Sequence, residues 1–307
     1  MASHNYLLTV AALFLCGVTC AADKPIKTLI VDGFSNHNWR LNTAMIKGIL
    51  KPTGLFDVSV STAPSSQSDD DWENWRPDFA AYDVVIQTCN DIGGGPKWPQ
   101  PVQQDFEQYV RNGGRVFIYH AANNAFPDWE TYNKIIGIGW RSSSQGVALA
   151  VSDTGEILRI PQGEGMDTGH GPRVNAVITR LKEHPIHHGL PRKWLTPDIE
   201  IYYYPRGPAE NIEVLSYAHD VETRMNWPME WVVRYGEGIA YSSTYGHVWH
   251  DDKQPERMRC AAVQTLIIRA LCWLAGRKNL PPMPTDFPTA SSISIRPDIK
   301  HGKYTQD

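Results

Sequence analysis

From residue 26 onward the chain alternates short apolar runs with helix-period stretches, and this alternation constrains the fold more than any other feature. Ile26 to Val31 reads as a buried strand, followed by the polar turn Asp32-Gly33-Phe34-Ser35-Asn36-His37-Asn38-Trp39. Leu41, Met45, Ile46 and Ile49-Leu50 recur at the spacing of one helix face, and Pro52-Thr53-Gly54 stops that helix. Phe56 to Ser61 and Tyr82 to Thr88 are expected strands, and Val102 to Val110 is an amphipathic helix ending at Asn112-Gly113-Gly114. The strand that follows closes on His120. Strand, helix, strand, strand, helix, strand predicts an α/β fold, a mostly parallel sheet with helices on both faces. Residues 125 to 204 mix turns with short apolar runs and read as insertions around the site. Strands are expected again at Ile212 to Tyr217, Met229 to Tyr235 and Gly238 to Thr244, then one long helix from Pro255 to Leu274.

The ends differ from this body. Residues 1–22 carry no Lys, Arg, Asp or Glu, and the apolar run Leu7 to Val18 leads to Cys20-Ala21-Ala22 before Asp23-Lys24. That pattern is a secretory signal and predicts export to the periplasm or the exterior. The run is shorter than the roughly 20 apolar residues a membrane span needs, so no stable span is expected. A lipid anchor through Cys20 is disfavoured, because Gly17 stands where an aliphatic residue belongs. The expected body is one domain over 23–279, and 280–307, with Pro281, Pro282, Pro284 and Pro288, is an extended tail. A net charge of -4 with dispersed lysines and arginines excludes a nucleic-acid footprint. Cys89, Cys260 and Cys272 would remain after cleavage, an odd number, so a disulfide framework does not stabilise the fold.

Two strands end in a histidine among small residues: Tyr119-His120-Ala121-Ala122 and Thr244-Tyr245-Gly246-His247. In an open α/β sheet the crevice outside the carboxyl ends of the strands is where ligands bind, so a histidine-centred site is the leading expectation. The bland alternative is a pair of strand caps.

The ordered set of local motifs resembles the ThuA-like family, associated by name with trehalose utilisation. It comprises His37-Asn38-Trp39, Gly113-Gly114, Tyr119-His120-Ala121-Ala122, Trp129 with Tyr132, Ile136-Gly137, His184-Pro185-Ile186 and Gly189-Leu190-Pro191. It continues with Ile199-Glu200-Ile201-Tyr202, Glu230-Trp231, Tyr235-Gly236-Glu237-Gly238, Gly246-His247 and Cys272-Trp273-Leu274-Ala275. The resemblance runs from about Lys27 to Ala275. It implies a flavodoxin-like, class I glutamine amidotransferase-like fold and an activity on sugars, oxidised ones such as 3-keto-glycosides among them.

Amidotransferases carry a cysteine on the turn after a central strand, whereas here that turn holds His120, and no Gly-x-Ser-x-Gly elbow is present. Cys89 follows a different strand and reads as a small buried residue. What remains is a non-covalent set of His37, His120, Glu200 and His247. His120, Glu200 and His247 are the expected catalytic residues, either as ligands of a divalent metal such as Zn or as a metal-free acid/base group. No nucleotide cofactor is expected. His37, Asn38, Trp39 and Trp231 are the expected substrate contacts, with Trp129, Trp140, Trp249 and Tyr202 as further rings beside the polar groups. His184 reads as a structural loop residue, His187-His188 as surface polarity, and His250 as part of a solvated loop. Lyase, hydrolase or hydratase chemistry on a keto-sugar needs only a modest base and an electrophile, since the ketone acidifies the neighbouring C–H. A sugar dehydrogenase would be a pathway partner. The rival readings are a non-enzymatic sugar-binding protein, and a structural protein whose tail fills its own crevice.

Overall fold

In the computed structural model, which describes residues 24–302, strands and helices alternate from the first described residues. The leader expected at 1–22 lies outside the described residues. β1 (Ile26–Asp32), α1 (Trp39–Leu50), β2 (Phe56–Thr62), β3 (Val84–Gln87), α2 (Gln100–Arg111) and β4 (Arg115–Tyr119) follow the expected order. Then come α3 (Glu130–Ile136), β5 (Val147–Val151), β6 (Ile157–Ile160), β7 (Gly169–His170), β8 (Val174–Arg180), β9 (Lys193–Ile199), β10 (Tyr202–Tyr203) and β11 (Arg206–Gly207). β12 (Ile212–Asp220), β13 (Met225–Tyr235), β14 (Gly238–Ser243), α4 (Glu256–Arg259) and α5 (Ala261–Leu274) complete the series.

The parallel strands lie in the order β2-β1-β3-β4-β14, the flavodoxin-like arrangement. The fold class is α/β with this parallel core. Beyond β14 the sheet turns antiparallel through β13, β12, β8 and β9, with β5, β6 and β11 pairing off its path. Much of that extension comes from the segment read as insertions, where short alternating strands are obscured by turn residues.

Period-two alternation divides the core between the faces. Ile26, Ile30, Val84, Ile86, Phe117 and Tyr241 meet α1 and α5 on one side. Leu29, Val31, Val85, Val116, Ile118 and Ala240 meet α2 and α3 on the other. Burial on both faces accounts for the near-continuous apolar runs of these strands. α1 begins where the Asn38 side chain accepts a hydrogen bond from the Leu41 amide at 3.1 Å, a side-chain N-cap.

Two sequence expectations change. The helix expected over Pro255 to Leu274 is broken at Cys260, whose extended ψ of 126° separates α4 from α5. The cause is tertiary: Cys260 forms a β-bridge with Ile295 of the tail. Cys89, Cys260 and Cys272 are free and buried. His187 is no surface residue: it is fully buried beside Glu230.

The described part of the tail packs along the domain. Ser294 O accepts from the Ala261 amide, Arg296 donates to Arg259 O, Thr289 O accepts from Leu195 of β9, and Phe287 meets Trp194 at 5.8 Å.

Candidate active site at the carboxyl ends of the parallel strands

The turns after β1, β3, β4 and β14 converge on a crevice of about 490 Å³. Its lining includes Asn36, His37, Asn124, His170, Glu200 and His247, with aromatic walls from Trp140, Tyr202 and Trp249. His120 lies behind these groups, 2 % exposed. No tail residue from 280 to 302 lines the crevice, which removes the self-filling expectation for the described residues.

His37, His120 and His247 form one cluster, their nearest ring nitrogens all within 4.8 Å of one another. Ring centroids are 5.1 Å apart for His37–His120, 4.7 Å for His37–His247 and 5.2 Å for His120–His247. Each ring is held from outside the cluster. His37 Nδ1 is 2.7 Å from Asn36 Oδ1, which also accepts from Asn90 Nδ2. His120 Nδ1 donates to Thr244 O at 2.7 Å, which leaves the Nε2 lone pair with no partner among the described residues. His120 also has φ +42°, in the left-handed region that is uncommon for any residue with a Cβ, and the sheet and the Thr244 bond hold it there. His247 approaches because Gly246, at φ +104°, packs against Tyr119; a Cβ there would collide with that ring.

Glu200, 5 % exposed, sits beside the cluster. Its Oε1 is 3.1 Å from His247 Nε2 and 3.6 Å from His170 Nε2, and its Oε2 is 3.9 Å from His120 Nε2. Burial pushes its carboxyl up, which strengthens it as a base once ionised. Burial pushes the histidines the other way: His37 falls to about 4, with His250, His170 and Arg257 adding repulsion, and His120 and His247 are also pushed well down, His120 repelled by His37 and His247 by both His120 and His37. Three neutral imidazoles are what a Zn-like cation requires. Ligand nitrogens around a tetrahedral Zn stand about 3.4 Å apart, so modest rotamer shifts would close the cluster on an ion. These donor types suit a divalent metal, and the three-nitrogen group differs in one member from the expected His120, Glu200 and His247. His37 completes the three-nitrogen group, while Glu200 stands alongside it, the place of a carboxylate that orients a ligand.

The other expected contacts fare unevenly. Trp231 is fully buried, its indole N–H donating to Ile136 O at 2.8 Å on the α3 face, so it has no surface to offer a sugar. Asn38 caps α1, and Trp39, 7 % exposed beneath the Arg40 guanidinium, lies outside the crevice lining. The rings that do line it are Trp249, stacked on His247 at 5.7 Å and 16°, with Trp140 and Tyr202. His184 is structural: it caps a short turn through Nδ1 and packs on Trp273. Cys89 is fully buried and its thiol is pushed well up by burial, so it is no nucleophile. Sequence reasoning missed Asn36, Asn124, His170 and Arg173. His170 sits in a Gly-rich turn that shows no strand period, yet β7 and β10 form a two-stranded ribbon that brings its ring over Tyr202.

The family model for ThuA, described as trehalose utilisation, matches residues 27–274. The chain belongs to the ThuA family. A crystal structure of a protein described as ThuA-like from Parabacteroides merdae is 34 % identical, superposes with a TM-score of 0.83, and is matched over 91 % of this chain and 100 % of its own. More remote are a GMP synthase component from Thermoplasma acidophilum (9 % identity, TM-score 0.41, 83 % and 96 % covered) and a β-galactosidase from Bacillus circulans (12 %, 0.44, 86 % and 32 %). Neither of these is close enough to argue from. No curated protein matches the sequence. Among the described residues of this ThuA protein, no helix is long and apolar enough to cross a membrane.

Proposed function

We propose that this ThuA protein is an exported carbohydrate-active enzyme performing acid/base chemistry on a keto-sugar or glycoside, with His37, His120 and His247 holding a divalent metal such as Zn. The observation that carries the reading is the buried three-histidine cluster with Glu200 beside it, set in an aromatic-walled crevice. A bound cation would polarise a carbonyl or hydroxyl oxygen of the sugar. Glu200 serves as the base for the C–H next to a ketone, oriented by His247 at 3.1 Å. Trp249 and Trp140 offer faces for the apolar side of a pyranose. The uncharged leader at 1–22 supports export. A sugar dehydrogenase supplying the oxidised substrate is the fitting pathway partner.

Metal content by mass spectrometry, after dialysis against a weak chelator, tests the metal. The wild type should carry near one equivalent and His120→Ala should lose it; an empty wild type refutes the metal. Turnover of 3-keto-glycosides tests the enzyme. Glu200→Gln should suppress turnover and retain binding, and an unaffected rate would refute the assigned base. Sugar binding with no turnover of any keto-glycoside by the wild type would instead favour a binding protein.

A further inference from the structure

Three of the buried polar atoms without a partner among the described residues belong to the turn after β4: His120 Nε2, Asn123 Oδ1 and Asn124 Oδ1, of which Asn123 is turned away to donate to Ser243 O and does not line the crevice. The histidine atom belongs to the cluster already described. Asn124 has no role so far.

Asn124 closes the turn that His120 opens, lines the crevice, and is 4 % exposed. Its main chain is pinned by the buried guanidinium of Arg141, which donates to Asn124 O at 3.0 Å, to Trp140 O at 2.8 Å, to Ala125 O at 2.6 Å and to Asn133 Oδ1 at 2.7 Å. Its side-chain Nδ2 reaches the Tyr202 hydroxyl at 3.5 Å. Rotating the amide by half a turn would pair Oδ1 with that hydroxyl and free the NH₂ instead. One hydrogen-bonding group of the amide therefore stays unsatisfied by protein in either orientation. Buried amides are rarely left so.

The surroundings identify the class of partner. Trp140 meets Tyr202 edge to face at 5.3 Å, His170 stacks on Tyr202 at 24°, and Tyr202 lies 5.9 Å from His120. The Asn124 amide, set in a wall of rings beside the cluster, suits a ligand with apolar C–H faces and hydroxyl edges, whereas the oxygen of the other lining amide, Asn36, is already engaged by His37 and Asn90. We infer that Asn124 is a specificity-determining contact that reads one hydroxyl of a pyranose, on the same ring as the reacting carbon. This inference rests on the carbohydrate reading above. The substrate class narrows to pyranosides that keep that hydroxyl free. Analogues lacking it leave the amide unpaired and are rejected.

The test uses the mature, metal-loaded protein and isothermal titration with the 3-keto derivative of methyl α-D-glucopyranoside and its 2-, 4- and 6-deoxy analogues. The wild type should bind the parent about 10-fold or more tighter than one of the deoxy analogues, the usual scale of one buried hydrogen bond. Asn124→Leu should bind the parent only as tightly as the wild type binds that analogue, and should lose the preference. Asn124→Ala, with circular dichroism on both variants, supplies the same comparison if the leucine variant does not fold. Equal binding of all four sugars by the wild type, or a preference kept in both variants, overturns the inference and leaves the carbohydrate reading standing. Failure of the wild type to bind any of the four overturns both.

Discussion

Glu230 is a carboxylate in the middle of the core, and replacing it should cost this protein more stability than any change in the crevice. It is wholly buried on β13, accepting hydrogen bonds from Ser216 at 2.5 Å and Tyr241 at 2.6 Å, with His187 Nε2 at 3.1 Å. Glu230→Leu keeps most of the volume and removes the shared acceptor of three polar groups. Breaking one side of a buried pair of this kind costs about 3–5 kcal/mol. Removing both sides restores apolar packing, so Glu230→Leu with His187→Leu should be no less stable than Glu230→Leu alone, although Ser216 and Tyr241 still lack their acceptor. Urea unfolding at pH 7, followed by tryptophan fluorescence, measures both. A loss below about 1 kcal/mol in the single variant, or a double variant clearly worse than the single, would refute the reasoning. The pH dependence gives a second readout. Burial alone would push the Glu230 carboxyl up, but His187 and the hydrogen bonds from His187, Ser216 and Tyr241 outweigh it and hold it below its ordinary 4.5. A folded-state value below the unfolded one contributes stability that is fully present above about pH 4.5 and lost as the pH falls through the folded value. The gap between wild type and Glu230→Leu should therefore narrow as pH drops below that point.

Three further outcomes follow from the same geometry. Trp231→Ala should lose about 3–5 kcal/mol by opening a core cavity, whereas Trp249→Ala should cost little stability and weaken sugar binding; calorimetry of both, with sugar titrations, would expose a wrong assignment if the roles reversed. Because His120 has φ +42°, His120→Gly should be more stable than His120→Ala by about 1 kcal/mol, the reverse of the usual order, in thermal or urea unfolding. Cys89, Cys260 and Cys272 should resist a thiol reagent in the native protein and react after denaturation; rapid labelling of any one would contradict its burial.

The parallel half of the sheet was legible in the sequence because its central strands are buried on both faces and carry runs such as Thr28-Leu29-Ile30-Val31, and β1 and β3 are each followed by a helix of plain periodicity. His37, His120 and His247 were legible for the same reason, since they follow β1, β4 and β14, whose carboxyl ends point to one rim; Glu200 follows the antiparallel β9 and stood out through the family resemblance, while Asn36, Asn124, His170 and Arg173 were missed. The antiparallel extension was not legible, because strands as short as β7 and β10, two residues each, have no period to detect. Nor could the sequence distribute the tryptophans. Trp231 and Trp249 both neighbour polar site candidates, and only the pleat of β13 turns the first into the core. Cys260 shows a third limit: its neighbours have helical periodicity throughout, and a contact with residue 295 overrides it.

The strap of chain that leaves α5 and returns past β9 has a bearing on how the protein behaves in concentrated solution. β9 ends the antiparallel side of the sheet, and the row of main-chain groups on an outermost strand is a template on which another molecule can add. Thr289 occupies one of those positions by accepting from Leu195, while Phe287 covers Trp194. A copy shortened to Ala275 would keep the histidine cluster, lose Ile299, Leu280 and Phe287 from the core on the α1 and α5 side, and bare that rim, so its symptoms would be lower stability and self-association rather than loss of the crevice.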